Sequence, residues 1–236
     1  MHAIILNSGK GSRLEELTEN RPKGLVPLSA EETILSRQID ILTACGVERI
    51  FVTTGYLAQQ FVDYCSALYP ELDIEFVHND LYDATNYIVS LDRLADKAFS
   101  DTVLLMHGDL VFTKDVLADI SMQKGSCVVV DSDSSIPEKD FKARIKTDGT
   151  VKEIGIDVFG PDCVACQPLY KLALSDWRIW QKAIRAWCEV GKTNVYAEHA
   201  LNTVLDTIQL IPFDVKARLC NEVDTKEDLK AVQLRI

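Results

Sequence analysis

The sequence predicts an α/β fold, a Rossmann-like three-layer sandwich with a mainly parallel central sheet. Two observations in the first half carry this prediction: strand-type runs at 49–54 and 74–77, and helical periodicity at 32–45 and 58–68. Strands that alternate with helices are typical of a parallel sheet covered on both faces. After residue 126 the pattern changes to alternating strands, which indicate a small antiparallel β excursion in the second half.

The first predicted strand ends in a loop that contains two glycines one residue apart, Gly9 and Gly11. Glycine allows a sharp turn and a close approach of the backbone to a ligand. A dinucleotide-binding fingerprint would need a third glycine where Leu14 stands. A Walker A motif would need Ser or Thr directly after Lys10, where the chain has Gly11. The loop therefore fits neither of these two phosphate-binding motifs.

Basic residues follow this loop closely. Backbone amides of residues 8–12 are suited to an anion-binding nest, Arg13 offers a fork to terminal phosphates, and Lys23 offers a mobile point charge. The alternative is a glycine-containing hairpin with solvated basic side chains. The combination of strand, two glycines, Arg13 and Pro22-Lys23 favours a nucleoside triphosphate site.

Composition limits the remaining classes of function. The 236 residues have a net charge of -11, so a surface that coats nucleic acid is not expected. An acidic protein that handles nucleotides needs local basic residues and a divalent cation. No segment has the length of a membrane span, and we expect a cytoplasmic protein without membrane insertion. The seven cysteines are scattered and are expected to be reduced thiols, and no oligomeric state is indicated.

Two spaced motifs carry a family resemblance. The pattern G-x-G-x-R spans residues 9–13, and L-T-x-x-x-P-K spans residues 17–23. Together they resemble the signature of the nucleotidyltransferase superfamily that activates sugar-1-phosphates and phosphocholine. The family usually has Leu-Ala-Ala-Gly where this chain has Leu-Asn-Ser-Gly at 6–9, beside the expected nucleobase pocket. The strongest similarity is to the compact cytidylyltransferases that act on phosphocholine or 2-aminoethylphosphonate.

The resemblance covers nearly the whole chain and implies a GT-A-like fold. It implies a single nucleotidyltransferase domain over residues 1–236, with a nucleotide-binding half at 1–125. The other half, 126–236, would bind the acceptor and contain the terminal metal motif. The nucleotide-binding residues that it implies are Leu6, Asn7, Ser8, Gly9, Lys10, Gly11, Ser12, Gly55, Thr85 and Asn86.

Asn86 is the candidate contact to the base. It lies in a polar and aromatic connection that, in the resembling family, contacts the nucleobase. An amide offers both a donor and an acceptor, which fits the edge of cytosine. The alternative role is the N-cap of the following helix, because asparagine is common at that position.

Asp109 and Asp224 are the candidate metal ligands. Asp109 follows the apolar strand 103–106, at the end where open α/β sheets bind ligands, and matches the family's Gly-Asp segment. Asp224 belongs to a closing segment at 222–228 that resembles the family's E-[IV]-D-[ST]-x-x-D motif. Each could instead cap a helix. Two carboxylates distant in sequence can converge on Mg²⁺, which is the expected cofactor.

The acceptor residues are expected in the second half. Lys142 shares one strand face with Arg144 and Lys146, and a solvated strand face is the alternative. Residues 165–171 fall where the family places acceptor-site residues. A cationic head group would need aromatic faces or carboxylates. The full set of acceptor candidates is Lys142, Gln167, Tyr170, Tyr196 and Glu198; for the last three the alternative is a packing or helix-surface role.

The implied reaction is attack by an acceptor phosphate or phosphonate on the α-phosphorus of CTP, with release of pyrophosphate. Lys23 would stabilise charge on the transferring group and Arg13 the departing pyrophosphate. Two alternatives remain open: a sugar-1-phosphate nucleotidyltransferase and a noncatalytic nucleotide-sensing relative. Retention of Arg13, Lys23, Asp109 and Asp224 argues against the sensor.

Overall fold

The computed structural model describes all 236 residues and contains a large central sheet with helices on both faces. The eleven strands are β1 His2–Asn7, β2 Arg49–Thr54, β3 Asp73–His78, β4 Val103–His107, β5 Leu110–Phe112, β6 Cys127–Asp131, β7 Lys142–Ile145, β8 Val151–Gly155, β9 Cys163–Leu172, β10 Ile211–Asp214 and β11 Cys220–Glu222. The seven α-helices are α1 Ile34–Ala44, α2 Ala58–Leu68, α3 Tyr87–Asp92, α4 Lys114–Met122, α5 Leu174–Glu189, α6 Ala197–Asn202 and α7 Lys226–Gln233.

The strand order of the main sheet is β10-β6-β9-β4-β1-β2-β3. β1 pairs in parallel with β2 and β4, β2 pairs in parallel with β3, and β10 pairs in parallel with β6. β9 is antiparallel to both β4 and β6. The sheet is therefore mainly parallel with antiparallel pairs in the second half, which confirms the predicted fold class.

The central strands are buried on both faces, which explains their nearly continuous apolar sequences. Ile4 points into a cluster of 28 buried residues that includes apolar side chains of α3, α5 and α6. The next residue, Ile5, points into a cluster of 24 buried residues with α1, α2 and α4. Alternation along a strand thus separates two cores, and the fold is the predicted three-layer sandwich.

The expected hairpin is present as β7 and β8, an antiparallel pair. The segment 165–171, expected at the acceptor surface, instead lies inside β9, a ten-residue strand in the middle of the sheet. Pro168 interrupts its apolar pattern, and the pairing with β6 shifts register next to this proline, where Gln167 pairs with Val129 and Tyr170 with Val128. Proline lacks the ladder N–H, and such irregularities are where a sheet tolerates it.

The short strand β5 and the helix α4 were not expected from the sequence, and β10 begins three residues later than the predicted strand at 208–213. β5 matters for the site because it pairs antiparallel with β11. The pairing continues past the strands, where Val223 N–H donates to Asp109 O at 2.9 Å. This second sheet brings the closing acidic motif beside the Gly-Asp turn.

None of the helices is both long and apolar enough to span a membrane. All seven cysteines are free thiols, and five of them are buried.

Candidate active site

A cavity of about 370 Å³ opens at the carboxyl ends of β1 and β4, where an open α/β sheet offers space for a ligand. The glycine loop forms one wall, and the connection from β3 to α3 forms the opposite wall. Eighteen residues line this cavity, and only three of them are hydrophobic. Its lining contains two separately bonded groups: the ion-paired side chains of Arg13, Lys23, Asp109 and Asp224, called here the charged end, and neutral polar side chains that include the hydrogen-bonded Ser8, Asn79 and Ser90, called here the neutral end.

Lys23 lies at the centre of the charged end. Its Nζ is 2.5 Å from Asp109 Oδ2 and 2.6 Å from Asp224 Oδ1. Arg13 extends from the other side of the loop, and its Nη2 lies 2.9 Å from the same Asp224 oxygen. All four charged residues predicted from the sequence therefore converge, although 86 residues separate Lys23 from Asp109 and 201 separate it from Asp224.

The protonation states of this cluster follow from the balance of burial and charge. Burial opposes the charge of Lys23, but the two carboxylates outweigh it and raise the lysine pKa. Burial alone would raise the pKa of Asp109, yet the charges of Lys23 and His107 hold the pKa of that carboxyl below its usual value. Lys23 is therefore an ammonium and Asp109 a carboxylate at neutral pH.

The carboxylates fit a divalent cation. Asp109 Oδ1 is buried without a hydrogen-bond partner, although its other oxygen pairs with Lys23. A buried carboxylate oxygen without a partner is costly, and an oxygen ligand is what Mg²⁺ prefers. The Lys23 ammonium lies between Asp109 and Asp224, so both carboxylates already face one positive charge.

His107 and Glu222 extend this acidic centre and were not among the predicted site residues. Potential metal-binding atoms of His107, Asp109 and Glu222 all lie within 4.8 Å of one another. His107 Nδ1 is 3.0 Å from Glu222 Oε1. Burial would lower the histidine pKa, but the hydrogen bond and charge of Glu222 outweigh it and raise that pKa to about 9. For the Glu222 carboxyl, burial has the opposite effect and raises the pKa.

The neutral end of the cavity is lined by hydroxyl and amide side chains. They are Ser8, Asn79, Tyr82, Thr85, Asn86 and Ser90. Asn86 lines the cavity and is also the N-cap of α3, where its Oδ1 accepts from Tyr87 N–H at 2.8 Å; its contact to a base stays a prediction.

Asn7 and Ser8 point to different parts of the site. Asn7 was expected beside the base, but its side chain packs between Gly24 and Gly108, next to the charged cluster. An added Cβ at Gly108 would lie 2.1 Å from Asn7 Oδ1, and one at Gly24 would lie 2.5 Å from it. Asn7 is 6% exposed and its Nδ2 has no hydrogen-bond partner. Ser8 faces the neutral end instead.

Most of the other predicted nucleotide-binding residues line the cavity: Leu6, Gly9, Gly11, Ser12 and Thr85. Gly55 and Lys10 do not. A Cβ at Gly55 would meet Tyr82 Cβ at 2.5 Å and Ser8 O at 2.6 Å, so this glycine lets two cavity walls approach each other. Lys10 is exposed, with Nζ 5.8 Å from the centre of the Tyr82 ring.

A second cavity of about 400 Å³ adjoins the first, and Arg13 and Asp224 line both. Gln167, predicted as an acceptor residue, lines this second cavity together with Glu222. Tyr196, also predicted, packs with its ring centre 5.9 Å from that of Tyr87. The two cavities thus meet at the charged cluster.

Two predicted acceptor residues are too deeply buried to touch a ligand in this conformation. Tyr170 is fully buried against Trp180, and its hydroxyl donates to Glu198 Oε1 at 2.9 Å. Glu198 is 1% exposed and also accepts from the Tyr87 hydroxyl. The expectation of direct contact is therefore corrected: Glu198 holds Tyr87, which lines the first cavity.

Lys142 is a third correction. Its side chain is buried, and its Nζ donates to the backbone carbonyls of Pro137 at 3.0 Å and Glu138 at 3.2 Å. The other two basic residues of that strand, Arg144 and Lys146, pair with acidic side chains outside both cavities. The basic strand face therefore anchors the hairpin region.

A cavity that joins a glycine loop, a lysine between two aspartates and a neutral polar wall, on a mainly parallel sheet, defines a nucleotidyltransferase. The chain belongs to the MobA-like NTP transferase domain family, which matches residues 3–202. The resemblance to nucleotidyltransferases in the sequence is thereby confirmed.

Curated relatives differ in how much of their length is matched. The chain is 26% identical over 231 residues to 2-aminoethylphosphonate cytidylyltransferase of Lancefieldella rimae, 98% of this chain and 91% of that protein. It is 29% identical over 153 residues to CMP-5'-(3-aminopropyl)phosphonate synthase of Streptomyces rubellomurinus, 65% of this chain but only 24% of that protein. UTP--glucose-1-phosphate uridylyltransferase of Haloferax volcanii is 30% identical over 113 residues, 48% of this chain and 44% of that protein.

Among solved structures, CTP:phosphocholine cytidylyltransferase from Streptococcus pneumoniae superposes with a TM-score of 0.76. The match covers 99% of this chain and 97% of that one at 21% sequence identity. It supports the fold.

The close fit of Asn7 can be tested with Gly108→Ala. Because the added Cβ would lie 2.1 Å from Asn7 Oδ1, we expect the free energy of unfolding in urea to fall by about 1–3 kcal/mol. In an Asn7→Ala background the same change should cost less, because the clashing amide is gone. Gly9→Ala is the control, since nothing lies within 4 Å of its Cβ. Equal losses for Gly108→Ala in both backgrounds would contradict this packing.

Proposed function

We propose that this protein is a Mg²⁺-dependent cytidylyltransferase. It transfers CMP from CTP to a small phosphorylated or phosphonate head group of the phosphocholine or 2-aminoethylphosphonate type, and it releases pyrophosphate. The single observation that carries the proposal is Lys23, held between Asp109 and Asp224 in the lining of a cavity that also contains neutral polar groups. The first half, residues 1–125, supplies most of the nucleotide site, and 126–236 supplies the acceptor side and Asp224.

The separation of charge within the cavity orients the nucleotide. Phosphates favour the end with Arg13, Lys23 and the amides of the glycine loop, because these groups donate hydrogen bonds and carry positive charge. A base favours the opposite end, where neutral hydroxyls and amides such as Asn86 can pair with its edge. The α-phosphorus then lies near Lys23, between the two ends.

Lys23 stabilises charge that develops on the transferring phosphoryl group, and Arg13 stabilises the departing pyrophosphate. The acceptor needs no strong general base, since a phosphate monoester with a second pKa of about 6 is already largely ionised near neutrality. Asp109 and Asp224 would hold the divalent cation. That ion, when bound, would neutralise the triphosphate oxygens.

The acceptor side favours a cationic head group. The second cavity is lined by Gln167 and by more acidic than basic side chains: the carboxylates are Asp140, Glu222, Asp224 and Asp228, and the basic groups are Arg13, Lys139 and Arg235. The rings of Phe141 and Tyr196 pack with their centres 5.2 Å apart, and Tyr196 packs in turn on Tyr87, which lines the first cavity. Carboxylates beside aromatic faces are the groups that attract an ammonium. A sugar-1-phosphate would instead need several neutral hydrogen-bonding groups.

The proposal is tested by pyrophosphate release from each of CTP, UTP, dTTP, ATP and GTP with Mg²⁺ and a panel of acceptors. The panel contains phosphocholine, phosphoethanolamine, 2-aminoethylphosphonate and hexose-1-phosphates. We expect turnover with CTP and an aminated acceptor. Turnover with a hexose-1-phosphate alone would favour the sugar-1-phosphate alternative, for which the Haloferax relative is the specific support. Nucleotide binding without turnover would favour the sensor.

Replacement of the central lysine tests its role. Lys23→Ala should lower kcat by about 10²–10³-fold, since the transferring group loses a positioned positive charge. Lys182→Ala removes an exposed lysine on α5 and is the matched control. Thermal unfolding of both variants checks that the fold is kept. A Lys23→Ala enzyme as active as the Lys182→Ala enzyme would reject the assignment.

The carboxylates can be tested through metal binding itself. Asp109→Asn and Asp224→Asn should each weaken Mg²⁺ binding in the presence of nucleotide by about tenfold or more, because each loses a charged oxygen ligand. Calorimetric titration measures the affinity, and pyrophosphate release gives the Mg²⁺ concentration at half-maximal activity. Asp206→Asn is the control, because Asp206 is fully exposed and lines neither cavity. Unchanged Mg²⁺ affinity in both variants would place the metal elsewhere.

A further inference from the structure

Four polar side chains form one hydrogen-bonded chain at the neutral end of the first cavity. Asn79 Nδ2 donates to Ser90 Oγ at 3.0 Å, Ser90 Oγ donates to Ser8 Oγ at 2.9 Å, and Ser8 Oγ donates to Thr53 Oγ1 at 3.1 Å. All four residues are at least nine-tenths buried, and Ser8, Asn79 and Ser90 line the cavity. Their residues come from four separate segments, so the chain is a product of the tertiary fold.

The orientation of Asn79 is fixed by the backbone. Its Oδ1 accepts from Leu81 N–H at 3.0 Å. A backbone N–H can only donate, so the oxygen of the amide must face Leu81 and the nitrogen must face Ser90. The Ser90 oxygen therefore accepts a hydrogen bond from Asn79, and its own hydrogen is directed to Ser8.

Each hydroxyl has one hydrogen and two lone pairs. Ser90 uses its hydrogen on Ser8, and Ser8 uses its hydrogen on Thr53, which also accepts from Asn7 N–H at 3.3 Å. Ser8 and Ser90 each keep one free lone pair and no free hydrogen. At this point the cavity wall can accept hydrogen bonds but cannot donate them.

Asn86 has the opposite character. Its Oδ1 accepts from Tyr87 N–H at 2.8 Å, which fixes the orientation of the amide, and its Nδ2 makes no hydrogen bond within the protein, so Asn86 can offer a donor to a ligand. The neutral end therefore combines acceptors from Ser8 and Ser90 with a donor from Asn86. This combination complements a pyrimidine that carries an amino group at one edge position and carbonyl or ring-nitrogen acceptors at the others.

We infer that Ser8 and Ser90 select cytosine over uracil, an inference that rests on the proposed nucleotidyl transfer. The 4-amino group of cytosine donates to the free lone pairs of the two hydroxyls, whereas the 4-oxo group of uracil would face them as a second acceptor. Asn79 is a positioning residue, because it donates to Ser90 Oγ and holds the hydroxyl that in turn donates to Ser8. A buried acceptor left without a donor is what makes such a site selective.

The test measures binding of CTP, UTP and pyrimidin-2-one riboside triphosphate, which has no substituent at position 4. Ser90→Ala and Ser8→Ala should each weaken CTP binding by about 10- to 100-fold. Binding of the 4-unsubstituted nucleotide should stay unchanged, because it makes no bond to the deleted oxygen. Calorimetry gives the Kd values, and kcat/KM for CTP over UTP should fall in parallel.

Ser36→Ala is the matched control, since it removes a buried serine from the α1 capping box, outside the cavity. Equal weakening of all three nucleotides in Ser90→Ala and Ser8→Ala would overturn the inference, as would wild-type protein that binds UTP as tightly as CTP. Binding needs no acceptor and no turnover. An inactive protein whose CTP preference depends on Ser8 and Ser90 would thus contradict the proposed function and still support this selection.

Discussion

The contact on which the site depends is the one between the Lys23 ammonium and the carboxylates of Asp109 and Asp224. Three remote segments meet there: the turn after the glycine loop, the turn after β4, and the end of β11. Burial makes a lone charge costly, but the two carboxylates raise the pKa of Lys23 and the Lys23 ammonium helps to lower the pKa of Asp109. The same contact joins the nucleotide cavity to the second cavity, because Asp224 lines both.

Close packing around this contact leaves no room for a side chain at Gly24 or Gly108. Gly24 directly follows Lys23, and Gly108 directly precedes Asp109. The Asn7 amide fills the space that a Cβ at either glycine would need. Gly55 allows a similar approach between the loop and Tyr82. These three glycines thus allow close packing because they have no side chain. Gly24 and Gly55 do so without lining the first cavity.

The acceptor side has a different organisation from the nucleotide side. Its buried groups, Tyr170, Glu198 and Lys142, satisfy one another or the backbone, and they support the groups that border the cavities. Glu222 and His107 form an ion pair at the boundary, where Glu222 raises the histidine pKa to about 9.

The sequence by itself determined the α/β class, the glycine loop, the hairpin and the identities of Lys23, Asp109 and Asp224. Each of these rests on local periodicity or on residue types in a short motif. Only the tertiary structure decided that residues 163–172 form a central antiparallel strand, because strand pairing over long sequence distances leaves no local signal, and Pro168 obscured the pattern.

The same reason explains the site residues that were missed or misplaced. Glu222 belongs to the closing motif, but only the pairing of β11 with β5 brings it to His107. Asn7 and Ser8 are adjacent in sequence, yet strand alternation sends one toward the charged cluster and the other toward the base end. The hydroxyls of Ser8 and Ser90 are held by Thr53 and Asn79, which lie in other segments of the chain. Residue types were readable from the chain, whereas the direction of each hydrogen bond depends on which partners the fold brings together.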